Sequence, residues 1–229
     1  MVSLYTSKTS DLHAHTIFSD GEVSVLESLE LRKKYIPSVE ELGVSDHYRE
    51  IIKRNNWKEY VSEIKKHQEL FQGNGIRVLV GIEIYWQDLI KDFERIPFED
   101  LDYVIIENYE RISKLEDYDI VLAKLKQCFS KPILLAHPEF EEIIEKLGET
   151  GFRRLLRLLR EKEIALEMNL NWGYWFASGC DPKRVFYEQS EIMNILHEEK
   201  ALLSIGTDAH SYDEDFFRKY SLAMDLFQI

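Results

Sequence analysis

The sequence predicts an α/β fold built on a parallel sheet or barrel, and three observations carry that expectation. Short β-branched or aliphatic runs alternate with longer, charged amphipathic stretches, the layout of strands interleaved with helices. No Ser/Gly-rich linker, repeat or low-complexity tract interrupts the 229 residues, so the chain reads as one domain spanning 1–229. A chain of that length buries roughly 70–75% of the surface its unfolded form exposes, enough for one large core.

Seven candidate strands follow from the apolar runs. One enters His13, and the others cover residues 42–45, 76–84, 103–106, 133–136, 164–168 and 202–206. Helices are expected near residues 23–35, 57–72, 118–129, 140–146, 152–162 and 184–199. Leu155, Leu156, Leu158 and Leu159 give one of them the apolar stripe of a helix lying on a sheet.

Polar residues collect where these strands finish. His13 and His15, Asp46 and His47, Glu83, Glu107, His137, Glu167 and Asn169, then Asp208 and His210 all fall at or just beyond expected C-terminal strand ends. Parallel α/β architectures build their active sites along that edge.

Composition narrows the partners. Lys and Arg total 29 against 42 Asp and Glu, a net charge of −13, which disfavours long nucleic acid. Much of the excess is solvated helix surface, and a carboxylate-rich metal site accounts for some of the rest. Cys128 and Cys180 are isolated, so neither a disulfide framework nor a thiolate zinc site is indicated, and a reducing cytoplasm fits. The opening residues lack the apolar core of a signal peptide, and no segment has the roughly 20 apolar residues of a membrane span. Nothing in the chain singles out an oligomeric state.

The motifs at the strand ends point to metal chemistry. In DLHAHTIFSDG, His13 and His15 lie two apart, so an extended strand puts both imidazoles on one face, and Asp20 on the following Ser-Asp-Gly turn can fold back as an oxygen ligand. In GVSDHYRE, neighbouring side chains diverge, which assigns His47 as the ligand and Asp46 as a supporting or capping group. LVGIEIYW buries a lone Glu83 among apolar neighbours, where a metal would keep it ionised. ILLAHPEF ends a strand on His137, and LSIGTDAHS places Asp208 and His210 two apart.

Each piece has a plainer reading. A single histidine is more often a hydrogen-bonded structural group, Glu83 can be a buried ion-pair partner, and Asp46 or Asp208 a helix cap. Five such placements on five strand ends favour the metal reading. His67 and His197, in charge-rich helical stretches, read as solvated surface.

Imidazoles and carboxylates without thiolates suit Zn, Mn or Fe(II). One catalytic zinc usually takes three protein ligands. The eight candidates His13, His15, Asp20, His47, Glu83, His137, Asp208 and His210 therefore imply two or three divalent ions.

In this order the motifs resemble the PHP (polymerase and histidinol phosphatase) domain superfamily, from Asp11 to about Ser211. The resemblance implies a distorted seven-stranded (β/α)7 TIM-like barrel with a trinuclear metal site at its C-terminal mouth. By position it puts His13, His15, Glu83 and Asp208 on one metal. Glu83 then bridges to a second, which His137 also binds, and Asp20, His47 and His210 hold the third. Stand-alone members of this size are commonly phosphoesterases, histidinol-phosphate phosphatase among them. One departure stands out: where the family usually carries a histidine after the fourth strand, DYVIIENYERI has Tyr109, leaving Glu107 or Asn108 as substitute ligands.

The expected activity is hydrolysis of a small phosphate ester by metal-activated hydroxide, with Glu83 and Asp208 at the reacting centre and Asp208 or a metal-bound water the candidate acid for the leaving group. Arg49 and Arg111 are candidate phosphate forks, and Trp172, Tyr174 and Trp175 can wall the pocket, although core packing explains those aromatics equally well. A nucleotide or short-oligonucleotide phosphodiesterase, an amidohydrolase or lactonase, and a non-catalytic metal-binding PHP module are the alternatives.

Overall fold

A computed structural model describes residues 3–4, 9–36, 38–171, 190–212 and 220. Its strands are β1 (Ser3–Leu4), β2 (Ser10–Asp11), β3 (Glu41–Val44), β4 (Arg77–Val80), β5 (Glu83–Tyr85), β6 (Val104–Glu107), β7 (Ile133–Leu135), β8 (Ile164–Asn169) and β9 (Leu202–Gly206). The helices are α1 (Val25–Tyr35), α2 (Tyr48–Lys53), α3 (Trp57–Gln72), α4 (Trp86–Asp92), α5 (Leu115–Cys128), α6 (Phe140–Glu161) and α7 (Ser190–Glu198). All strand pairs are parallel. They form a six-stranded sheet ordered β1-β9-β8-β7-β6-β5 and a three-stranded sheet ordered β2-β3-β4.

The α/β class is as expected and the arrangement is consistent with a TIM-like barrel, but the expected count of seven strands is not what the ladders show. The expected strand over 76–84 is two strands in different sheets. A Cβ at Gly81, between them, would lie 2.1 Å from the Tyr103 ring, so only glycine lets the chain step past that ring. Tyr103 is fully buried, and its hydroxyl donates to the carbonyl of Leu12.

Two isolated parallel bridges, Ala14 to Ala209 and His47 to Glu83, link the sheets. Backbone bonds from His15 N to Ala209 O (2.9 Å) and from Asp208 N to His13 O (2.7 Å) reinforce the first of them. Strand alternation then divides the core in two. Val104, Ile106, Ile133 and Leu135 face the large core beneath the helices. Tyr103, Ile105 and Leu134 face the other way, meeting Leu12, Leu79, Ala136 and Ala165 in a small cluster drawn from both sheets. Shared interior packing curls the two sheets toward each other.

The helices form for local reasons. Ser24 and Glu27 make a reciprocal capping box that starts α1, with Glu27 N to Ser24 Oγ at 3.3 Å and Ser24 N to Glu27 Oε2 at 2.9 Å. α6 covers both helices expected over 140–162. Gly148 (φ 68°) breaks its helical path, so the expected interruption is present as a kink. Phe152, Leu155, Leu156 and Leu159 are its buried face, and each such side chain contributes about 1.5–3 kcal/mol relative to exposure. The short helices α2 and α4 were not expected. No described helix is long and apolar enough to cross a membrane.

Candidate metal centre

Eight side chains expected as metal ligands arrive from separate strand ends and meet. His13 and His15 follow β2 on extended backbone, both fully buried, with their Nε2 atoms 3.1 Å apart. Glu83, which opens β5 and is 1% exposed, is the hub. Its Oε1 lies 3.2 Å from His13 Nε2 and 3.2 Å from His137 Nε2. Its Oε2 lies 3.3 Å from His15 Nε2 and 3.1 Å from His47 Nδ1. Asp208 Oδ1 is 3.4 Å from His13 Nε2 and 3.2 Å from His15 Nε2, and Oδ2 is 3.6 Å from His137 Nε2. Asp20 folds back as expected, its oxygens 3.5 Å from His15 Nδ1, 3.5 Å from His47 Nε2 and 3.3 Å from His210 Nε2.

Proximity alone does not make a metal site; unused lone pairs are the sharper criterion. His47 Nδ1, both oxygens of Glu83, Glu107 Oε1, His137 Nε2 and Asp208 Oδ1 are buried and make no hydrogen bond among the described residues. Stranded polar atoms of this kind cost about 1–3 kcal/mol each, and native structures keep few of them. Six around one centre fit a shell of ligands turned toward cations rather than toward one another's protons. Four groups place ligand atoms within 4.8 Å of one another: His15, Asp20, His47 and His210; His13, Glu83 and His137; His13, His15 and Asp208; and His47, Glu83 and Glu107. Divalent cations therefore fit the donor set, with several positions available.

A surrounding network fixes the ligands. His13 Nδ1 lies 2.7 Å from Glu167 Oε1, which leaves Nε2 to face the cluster. Asn169 Nδ2 donates to Glu167 Oε2 (2.9 Å) and Asp208 Oδ2 (3.1 Å). Asp46 accepts from Thr16 N (2.7 Å), Thr16 Oγ1 (2.7 Å) and Ser19 Oγ (2.5 Å), so the group expected to cap or support anchors the loop that carries Asp20. Gly206 makes room: a Cβ there would stand 2.1 Å from Glu167 Oε1 and 2.8 Å from His13 Cβ.

The electrostatics follow from packing charges together out of water. Burial alone would pull His13 down, but the charges of Glu167, Glu83 and Asp208 outweigh it and hold the imidazolium well above the usual histidine range. Burial also opposes the charge on His47, yet the carboxylates of Asp20, Glu107 and Glu83 beside it push it to about 11. Against the same penalty, Glu83 and Asp208 lift His137 to about 9. Burial would raise Glu83 and Asp208, but His13 and its neighbouring imidazoles hold Glu83 well below the carboxylate range and Asp208 at about 2. Without cations, protons on the imidazoles supply the positive charge that the carboxylates require.

Backbone conformation also marks the site. His137 (φ 48°) and Asp208 (φ 49°) lie in the left-handed region, which for residues other than glycine costs about 1–3 kcal/mol and persists where the surroundings enforce it.

The remaining expected residues divide. Arg49 lies near the mouth: its guanidinium stacks 4.5 Å over the Tyr85 ring and is held by Asp88 at 2.8 Å, and Tyr85 in turn runs parallel to the His47 ring at 6.1 Å. Arg111 ends a 3-10 turn (Tyr109–Arg111) with its side chain exposed, and among the described residues no hydrogen bond or ion pair ties it to the cluster. Tyr109 is buried against Tyr118, whereas Glu107 Oε1 comes within 3.3 Å of His47 Nδ1. His67, expected on the surface, is 6% exposed on the inner side of α3 and pairs with Glu63 at 3.1 Å; His197 is exposed as expected. Trp172, Tyr174, Trp175 and Cys180 lie outside the described residues, and Cys128 is an exposed free thiol. Sequence reasoning missed Tyr85, Ser19 and Thr16, whose roles depend on neighbours brought together by folding. It placed Glu167 and Asn169 at a strand end without giving them a function.

With the site in view, comparisons define its class. The family model of the PHP domain matches residues 11–199, and the chain belongs to that family. Across 214 residues it is 25% identical to the DNA polymerase/3′-5′ exonuclease PolX of Bacillus subtilis, an alignment covering 89% of this chain and 34% of PolX. The chain thus spans about a third of that relative's length. It is also 24% identical over 228 residues to an uncharacterized protein of Methanocaldococcus jannaschii, covering 94% of this chain and 89% of that one. Among solved structures, 7,8-dihydropteroate synthase from Vibrio fischeri ES114 overlaps with a TM-score of 0.44 at 9% identity, covering 95% of this chain and 94% of that one, too loosely to bear on chemistry.

Proposed function

We propose that this chain is a metal-dependent phosphoesterase that hydrolyses a small phosphate ester. The observation that carries the reading is the set of buried, unpartnered ligand atoms converging around Glu83. Membership of the PHP family, typically phosphoesterases, supports it. His13, His15, Asp20, His47, Glu83, His137, Asp208 and His210 hold two or three divalent ions, with Zn, Mn and Fe the candidates. Bound there, such cations lower the pKa of water and polarise phosphoryl oxygens.

The chain's own residues orient and enclose. Glu83 sits where one carboxylate reaches four imidazoles and sets the spacing of the centre. Asp208, at about 2, is a carboxylate at neutral pH. It would accept a hydrogen bond from the attacking water and align it, and with Asp208 ionised the proton for the leaving group would come from water. Arg49, half-exposed and oriented by Tyr85 and Asp88, offers its open edge to a phosphoryl oxygen; Arg111, exposed, is the second candidate cation. We read β2, β3, β4 with β5, and β6 to β9 as the seven staves of a TIM-like barrel with this centre at its mouth, a reading that the two bridges between the sheets support. The domain is read as 1–229, and the isolated cysteines support a cytoplasmic setting.

Histidinol phosphate is the first monoester to test. A second reading, a nucleotide or short-oligonucleotide phosphodiesterase, is favoured by the likeness to PolX, named for 3′-5′ exonuclease activity. A panel of phosphorylated metabolites, p-nitrophenyl phosphate, its diester analogue, a short oligonucleotide and a lactone, each with Mn, Fe(II) and Zn, separates the readings. Turnover of phosphate esters supports the proposal, and turnover of the lactone alone overturns it. Full metal loading with no turnover of any substrate favours a binding module.

A further inference from the structure

We propose that Glu107 is a metal ligand used in place of the family's usual histidine at position 109, and that with Glu83 and His47 it forms a carboxylate-rich position preferring Mn2+ to Zn2+. The inference rests on the metal-centre reading above and not on phosphate-ester chemistry.

Geometry and donor chemistry favour Glu107 over the two neighbouring residues. The Tyr109 ring is buried in an edge contact with Tyr118, 6.5 Å between centroids, and Tyr118 Oη donates to the Tyr109 carbonyl at 2.9 Å; its own hydroxyl is buried without a hydrogen bond, but a neutral phenol is a weaker donor to a divalent cation than a carboxylate. Asn108 sits in the left-handed region (φ 56°) with Nδ2 donating to Glu107 Oε2 at 3.3 Å, and its neutral amide oxygen is a weaker donor to a divalent cation than a carboxylate. Glu107 ends β6, and its other oxygen, Oε1, is buried without a hydrogen bond, 3.3 Å from His47 Nδ1. Glu83 Oε2, also without one, is 3.1 Å from the same nitrogen. Three ligand atoms, each buried and unpartnered, thus meet from the ends of β3 and β6 and the start of β5. A carboxyl buried only for packing would spend that oxygen on a donor, as Asp46 does with Thr16 and Ser19.

Donor chemistry sets the preference. Two carboxylates and one imidazole are a hard, oxygen-rich set suited to Mn2+, whereas His15, His47 and His210 with Asp20 are nitrogen-rich and suit Zn2+. His47 faces Glu83 and Glu107 through Nδ1 and Asp20 through Nε2. A neutral imidazole has one lone pair for a metal, so the two positions compete for this ring. When His47 turns toward Asp20, the Glu83 and Glu107 pair still offers two anionic oxygens.

The test is Mn2+ uptake by the metal-stripped full chain, read from the electron paramagnetic resonance signal of free Mn2+, with Zn2+ competition. Glu107→Gln is expected to lose one Mn2+ per chain or to weaken that site at least tenfold, while zinc uptake persists. Glu107→His is expected to restore the stoichiometry and shift the Mn/Zn preference at least tenfold toward zinc. Should Glu107→Gln not fold by circular dichroism, the preference of Glu107→His decides alone. Unchanged Mn2+ uptake in Glu107→Gln, or an unchanged preference in Glu107→His, overturns the proposal. A wild-type chain that takes up no Mn2+ overturns both this inference and the metal-centre reading. Normal uptake without phosphate-ester turnover removes only the functional reading.

Discussion

His13 and Glu167, 154 residues apart in the chain, meet through a 2.7 Å contact between Nδ1 and Oε1 in a space that a side chain at position 206 would fill. The contact holds the Nδ1 proton against Glu167, so that a cation displacing the Nε2 proton would meet a lone pair facing Glu83 and Asp208. Replacing Glu167 with Gln keeps the shape but removes the charge. Metal affinity is expected to fall about 10- to 100-fold, the usual cost of losing a partner behind a ligating histidine. Isothermal titration of the stripped protein with Mn2+ measures it, and an unchanged dissociation constant would show that Glu167 does not orient His13.

Gly206→Ala probes the same contact from the backbone. The added methyl would lie 2.1 Å from Glu167 Oε1, so either the carboxylate or the strand must move. A loss of about 1–3 kcal/mol in stability is expected, as in other overpacked interiors, together with reduced metal content. Thermal unfolding and elemental analysis of the purified variant check both effects.

The loop bearing Asp20 depends on a residue that touches no proposed ion. Asp46 accepts three hydrogen bonds from Thr16 and Ser19. Asp46→Ala strands those donors, at a cost on the order of 2–3 kcal/mol, and frees the loop. Unfolding in urea is expected at lower midpoint, and metal retained after dialysis should drop by the equivalent held through Asp20.

Protons and cations compete for the same lone pairs. His137 is raised to about 9 and His47 to about 11 in the metal-free protein, so at neutral pH both carry protons that a metal must displace. Affinity for Mn2+ should therefore rise from pH 6 to pH 9. The effect on stability has the opposite sign. A histidine raised from about 6.5 contributes stability that is complete below that value and is lost as pH climbs through 9 for His137 and 11 for His47. Asp208, depressed to about 2, contributes above its unfolded value and loses that contribution as pH falls through 2. The metal-free chain is thus expected to melt at lower temperature at pH 9.5 than at pH 7. A melting temperature that rises over that interval would contradict the charge arrangement.

Much of the centre was legible because strand periodicity and parallel topology are local rules. Two residues apart puts His13 beside His15, and strand ends in a parallel fold share a rim, which was enough to name eight of the nine converging side chains as ligands. Residues whose position depends on a distant partner were harder to read. The break at Gly81 is made by the Tyr103 ring, 22 residues on, so one apolar run became two strands. His67 looked solvated among charged neighbours, yet the apolar face of α3 carries it inward beside Tyr60 and Ile64. Glu107 could be named only as one of two substitutes, since its approach to His47 depends on how strands of different sheets come together.

The most direct measurement of the central claim is an anomalous difference map from crystals grown with Mn2+. Two or three peaks within about 2.0–2.2 Å of imidazole nitrogens and carboxylate oxygens of the cluster are expected, with at least one bound by Glu83. A map with protein well ordered around Glu83 and no peak among its histidine neighbours would contradict it.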